Sequence, residues 1–152
     1  MAEQKCNRVI HYMTNGVPCE CCGKVEYNFP PQLCDAHTDG MWKYGHMEFQ
    51  LVLNYQREEI MRLLNTMGMR VARGERFKDG DLIEGLYLDC SVKLQEFPDI
   101  DGKPVLRLMI PDKENRWPEE AGVPYCGQLF STFLLHHYGD LRNALDEYKK
   151  NP

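Results

Sequence analysis

The sequence predicts an α+β domain, an antiparallel sheet packed against one central amphipathic helix and a C-terminal helical region. Three observations carry that expectation. Ile60, Leu63, Leu64, Met67 and Val71 fall on one stripe at helical spacing within Tyr55–Ala72. Short segments on both sides of that stretch alternate apolar and polar residues with the period of a strand. These strands surround a single strong helix instead of alternating with several, which is the layout of a sheet with segregated helices.

Taken in order, the first strand spans Arg8 to Met13, where Val9, His11 and Met13 alternate with Ile10 and Tyr12. Asn15-Gly16 marks a turn, and Pro30-Pro31 ends the following cysteine-rich stretch in extended conformation. Cys34 to Met41 reads as a short strand and Phe49 to Leu53 as a more apolar one. The central helix carries Glu58 and Glu59 near its start and Arg70 and Arg73 near its end, which suits the helix dipole, with Gly74 as its stop. Asp79-Gly80-Asp81 is a turn, Tyr87 to Leu94 an alternating strand, Asp101-Gly102 a second turn and Val105 to Ile110 the next strand. The chain then reads as irregular to Gly127. Leu129 to Lys149 is helical, broken at Gly139, with Asp140 capping the second piece.

The 152 residues fit one domain, 1–152, with 43% hydrophobic and 27% charged residues, the balance of an ordinary globular chain. No apolar run has the length of a membrane span, and the first fifteen residues hold no signal-peptide core, so the expectation is a cytoplasmic protein without a membrane partner. The net charge of −5 argues against nucleic acid, which calls for a clustered basic surface. Arg70, Arg73, Arg76 and Lys78 do gather, but Glu75, Asp79 and Asp81 interleave with them. Seven cysteines in such a chain point to metal or to buried thiols, and an odd count cannot pair completely.

The cysteines are concentrated in a zinc-knuckle-like segment, residues 17–37. There Cys19-Glu20-Cys21-Cys22 and Cys34-Asp35-Ala36-His37 form the pattern C-x2-C-x11-C-x2-H. Zinc closes a tetrahedral shell with thiolate and imidazole ligands, and Pro18 and Gly23 suit the tight turn that aims two sulfurs at one ion. The expected ligands are Cys19, Cys22, Cys34 and His37, with Cys21 as a rival for either of the first two places. A redox C-x-x-C is disfavoured because no βαβ thioredoxin pattern surrounds it.

Two further polar pairs, His37-x-Asp39 and His46-x-Glu48, each project to one face of an extended strand. With Asp112, His46 and Glu48 offer an alternative reading as a small metal-dependent or acid–base hydrolase. Against it, Asp112 suits a cap for the turn after its strand, and no nucleophile–base pair accompanies these residues. His136 and His137 diverge on a helix and read as surface or cap residues. Trp42, Tyr44 and Trp117 read as core or lid aromatics, while Trp42, Tyr44, His46 and Glu48 together suit a partner-contacting loop.

Three separated stretches carry a family resemblance. They are His37 to Gln50 (H-T-D-G-M-W-K-Y-G-H-M-E-F-Q), Val71 to Asp81 (V-A-R-G-E-R-F-K-D-G-D) and Val105 to Pro118 (V-L-R-L-M-I-P-D-K-E-N-R-W-P), continued by Gly122 and Gln128. In this order, over residues 34–128, they resemble the bacterial domain-of-unknown-function family 4262. His37 stands where that pattern has Tyr, and Met47 where it has Pro. The strand–helix–strand layout is more loosely similar to the Suppressor-of-fused class, whose bacterial members include immunity and interaction modules. The resemblance implies a fold and a bacterial origin but neither a reaction nor a metal. The reading is therefore a cytoplasmic zinc-binding protein acting as a non-enzymatic, immunity-like interaction module for a protein partner.

Overall fold

A computed structural model describes residues 9–14, 16–25 and 29–150. Arg8 and Asn15, which figure in the sequence reading, lie outside the described residues. Strands β1 (Val9–Met13), β2 (Leu33–Asp39), β3 (Glu48–Leu53), β4 (Leu82–Ile83), β5 (Val92–Pro98) and β6 (Pro104–Met109) form one sheet in the order β1-β2-β3-β6-β5-β4. Helix α1 (Arg57–Ala72) lies between β3 and β4 in sequence, and α2 (Thr132–His137) and α3 (Leu141–Lys150) end the chain. Every pairing is antiparallel except β3 with β6, so the fold is α+β with a mostly antiparallel sheet.

The predicted helical stripe is the buried face of α1, where Ile60, Leu63, Leu64, Met67 and Val71 are all fully inaccessible. The helix starts at Arg57, two residues after Tyr55, and its backbone N–H groups at Glu59 and Ile60 bond back to Gln56. Ile10 and Tyr12 share a groove with Arg57, Met61 and Asn65, so α1 covers that face of the sheet, and His11 points to the other. Thr132, beside Gln50 and Arg107, shows that α2 lies over the face that carries His11.

Two predicted strands end elsewhere. Met41 leaves β2 and begins a 3-10 helix, Met41–Tyr44, because Glu48 draws the backbone N–H groups of Gly40, Met41 and Trp42 onto its carboxylate. Tyr87 to Ser91 is irregular, and the strand runs from Val92 to Pro98. The hairpin register explains the shift. The Asp99–Lys103 turn pairs Pro98 with Pro104, so β6 is used up where Met109 meets Lys93. Residues before Val92 have no β6 partner left, and Leu88 there is fully exposed.

The C-terminal region breaks around Gly139 as expected, with the Asp140 carboxylate accepting the Arg142 N–H. Its first piece is not one helix from Leu129. A 3-10 helix covers Tyr125–Leu129, and α2 then restarts under a Ser131 cap whose hydroxyl accepts the Leu134 N–H at 3.1 Å.

The face under α2 is unusual for a core. His11 lies opposite His37, His37 opposite Gln50, Gln50 opposite Arg107, and Arg107 opposite Gln95. One polar row thus crosses five strands, and its middle is buried.

Candidate metal centre

Residues 16–25 fold as a tight turn against the outer edge of β1. The Cys19 N–H donates to the Lys24 carbonyl at 2.9 Å, and the Gly23 N–H donates back to the Cys19 carbonyl at 2.7 Å. Gly23 closes the turn at φ 72°, a conformation that a side chain would strain. Arg57 of α1 pairs with Glu20 and ties the turn to the helix.

The turn carries Cys19 and Cys21 to His11. Donor atoms of His11, Cys19 and Cys21 all lie within 4.8 Å of one another, the one such cluster among the described residues. The Cys19 sulfur is 3.6 Å from His11 Nδ1. A sulfur and a nitrogen that share a tetrahedral zinc ion stand about 3.5 Å apart, given Zn–S of about 2.3 Å and Zn–N of about 2.0 Å. The Cys21 thiol rests 3.0 Å from the Ile10 carbonyl.

The two sulfurs have opposite tendencies. Burial alone would push the Cys19 thiol up, but the backbone N–H groups of Tyr12, Cys22 and Cys21 and the His11 imidazole pull it down to about 6. Cys21 is pushed up, by burial and then by the Cys19 sulfur beside it. A cation between them would relieve that repulsion and hold both as thiolates. The arrangement is therefore a possible metal-binding site built from one imidazole and two sulfurs.

Of the four ligands expected from spacing, only Cys19 sits in this cluster, and the rival Cys21 joins it. Cys22 is exposed and contributes its N–H to the Cys19 sulfur. Cys34 is turned into the core, its thiol 3.6 Å from the carbonyls of Leu51 and Leu53 and pushed well up by burial. His37 stands beside the cluster, its ring centre 5.2 Å from that of His11, with Nδ1 held 3.1 Å from Asp35 Oδ1. His11 was missed because nothing in its spacing to the cysteines marks it.

The hydrolytic set does not converge. The His46 ring is fixed at both nitrogens, Nδ1 against the Met47 carbonyl at 2.7 Å and Nε2 accepting the Phe77 N–H at 3.0 Å. Glu48 takes four donors, the Thr38 hydroxyl and the N–H groups of Gly40, Met41 and Trp42. Asp112 lines a different cavity from His46 and Glu48 and caps its own turn, accepting from Arg116 and Glu114. These bonds, the Arg116 N–H foremost, hold its carboxyl below the usual range.

The expected partner loop is also divided. Trp42 is 65% exposed, held out by the 3-10 helix that Glu48 caps. Tyr44 packs against the core, His46 is buried and Glu48 is spent on backbone donors. Trp42 is thus a surface residue, not a core aromatic. It borders a cavity of about 650 Å³ whose walls include His11, His37, Asp39, Asp99 and Lys103.

His136 reverses its expectation of surface or cap. It is buried with Nε2 2.8 Å from Asp35 Oδ2, whereas His137 is exposed and stacked on Phe133 at 3.9 Å. Sequence reasoning also missed Gln50 and Arg107, the buried part of the polar row, and Asp35, which accepts from Gln50 at 3.0 Å.

No family model, curated protein or solved structure matches this chain. No described helix is long and apolar enough to cross a membrane.

Proposed function

We propose that this chain is a cytoplasmic zinc-binding protein that acts as a non-enzymatic, immunity-like interaction module for a protein partner. The observation that carries the metal is the convergence of His11, Cys19 and Cys21 donors within 4.8 Å. Two sulfurs and an imidazole are the donor set that zinc favours among the common ions. The role is structural. The ion pins the turn at residues 16–25 to β1, and so braces a strand that, among the described residues, stands at the edge of the sheet.

The interaction reading rests on Trp42, a large aromatic held at the surface by a fully bonded cap. Tryptophan in such a position is a common anchor of protein interfaces. We also propose kinship with the bacterial family 4262, on the strength of three motifs in family order. In this fold they fall on the turn between β2 and β3, the end of α1, and β6 with its exit.

Elemental analysis of protein purified without chelator, with X-ray absorption at the zinc edge, tests the metal. About one zinc per chain bound through two sulfurs is expected. A metal-free preparation, or a shell without sulfur, overturns it. A pulldown from the native host with the wild type and Trp42→Ala tests the surface, and a partner retained equally by both removes Trp42 from it.

A further inference from the structure

A second cavity, apart from the metal centre, has about 390 Å³ of space between the start of α1 and the exit of β6. Tyr55, Tyr87 and Tyr125 line it, from three separate parts of the chain. All three rings are partly buried and pack against the main core. Tyr55 and Tyr125 stand close enough on the cavity wall for Tyr125 to act on the Tyr55 phenol, which burial first and then Tyr125 push up. The volume is that of a small-molecule site, and residues of the hydrophobic core stand behind it.

The chemistry of the walls selects a cation. Glu59, Asp89 and Asp112 reach the cavity against a single Lys113. Asp112 is balanced by Arg116, and Glu59 by Arg62, yet the Glu59 charge acts on both Tyr55 and Tyr87, and at Tyr87 it outweighs Arg62. Burial pushes the Tyr55 phenol up and the Tyr87 phenol up to about 12, so these two stay neutral donors. The protein already uses one of these rings for a cation, because the Arg62 guanidinium lies 5.3 Å from the centre of Tyr87. Aromatic faces beside a carboxylate are the surroundings in which alkylated ammonium groups are held, since these cations shed water easily and cannot be satisfied by hydrogen bonds alone.

We infer that this cavity binds an alkylammonium head group, carried either by a free small molecule or by a methylated lysine side chain. Choline and a trimethyl-lysine peptide are the two probes, with 3,3-dimethylbutanol as the neutral isostere of choline, each titrated calorimetrically into the full chain. Saturable binding of choline or of the peptide is expected, with no binding of dimethylbutanol. Preference between the two probes tells the small molecule from the side chain. Tyr87→Phe keeps the ring and should bind nearly as the wild type does, while Tyr87→Ala should lose about tenfold in affinity. Glu59→Gln should weaken binding several-fold without removing a wall, which serves if Tyr87→Ala fails to fold. Absence of binding by both cations, equal binding of the neutral isostere, or equal affinities for wild type, Tyr87→Ala and Glu59→Gln overturns the inference.

Discussion

Asp35 and His136 are 101 residues apart in sequence, and their Oδ2 and Nε2 atoms meet at 2.8 Å in the core. Both side chains are almost wholly inaccessible. The other Asp35 oxygen accepts from Gln50 Nε2 at 3.0 Å and faces His37 Nδ1 at 3.1 Å. Burial would drive this carboxyl up, but its bonds to His136 and His37 outweigh burial and hold it far below the ordinary carboxylate range. A charge taken out of water is tolerable only when so fully bonded. The contact joins β2 to α2, so the last third of the chain is registered on the sheet by a polar lock as well as by apolar packing.

Asp35→Asn should therefore destabilise the protein by about 3–5 kcal/mol, the usual cost of stripping one partner from a buried charged pair. Chemical denaturation at neutral pH measures it. The pH dependence has a definite sign. A carboxyl whose folded pKa is depressed contributes its full stability above its unfolded value of about 3.9 and loses it as pH falls from there toward the folded value. Wild type should lose stability steeply on acidification below about pH 4, and Asp35→Asn should show a shallower slope. Parallel acid profiles for the two proteins would contradict the lock.

Arg107 is the second half of this network and the largest fully buried side chain among the described residues. Its Nη1 donates to the Gln128 and Phe130 carbonyls at 2.6 and 2.5 Å, its Nε to Gln50 Oε1 at 2.8 Å, and its guanidinium stacks on Phe97 at 3.7 Å. Lysine has no planar fork to meet three acceptors at once. Arg107→Lys should cost about 2–4 kcal/mol, by the cost of buried acceptors left unpaired. It should also loosen residues 125–130 first, visible as faster amide exchange there than in α1. Uniform exchange across the chain would argue against a local role.

The helical stripe of α1 and the turn at Asp101-Gly102 were legible because each is a local pattern. The Asp35 lock was not, since Gln50 and Arg107 sit singly among apolar strand residues and meet their partners only through the sheet register. The metal ligands were half legible. A C-x2-C turn does aim sulfurs together, but Cys34 and His37 are three apart in a strand, and odd separations project to opposite faces. That rule, applied to the strand predicted over Cys34 to Met41, already separates the two. Nothing local points to His11, which reaches Cys19 only because the turn folds back on β1.

His46 and Glu48 are expected to act on stability. His46→Ala leaves the half-buried Phe77 N–H without its acceptor, a loss of about 1–2 kcal/mol. Glu48→Gln keeps the shape but removes the charge that gathers four donors, for a loss of about 1–2 kcal/mol and a freer Trp42. Thermal melts and Trp42 fluorescence read both, in a Trp117→Phe background so that Trp42 is the only indole. Unchanged melting points for both variants would remove the structural assignment.

The metal centre makes the sharpest distinction among the cysteines. Cys19→Ser, Cys21→Ser and His11→Ala should each lower zinc content well below one per chain, because each removes a donor of the cluster. Cys34→Ser should keep its zinc, since its sulfur faces the Leu51 and Leu53 carbonyls, and should change only core stability. Cys22→Ser should also keep zinc, because its side chain is exposed and its N–H, the group that reaches Cys19, is retained. Chelation of wild type should lower its stability, and chelation of Cys19→Ser should not, as metal binding energy is in part folding energy. Zinc lost from Cys34→Ser and kept in His11→Ala would return the site to the ligand set expected from spacing alone.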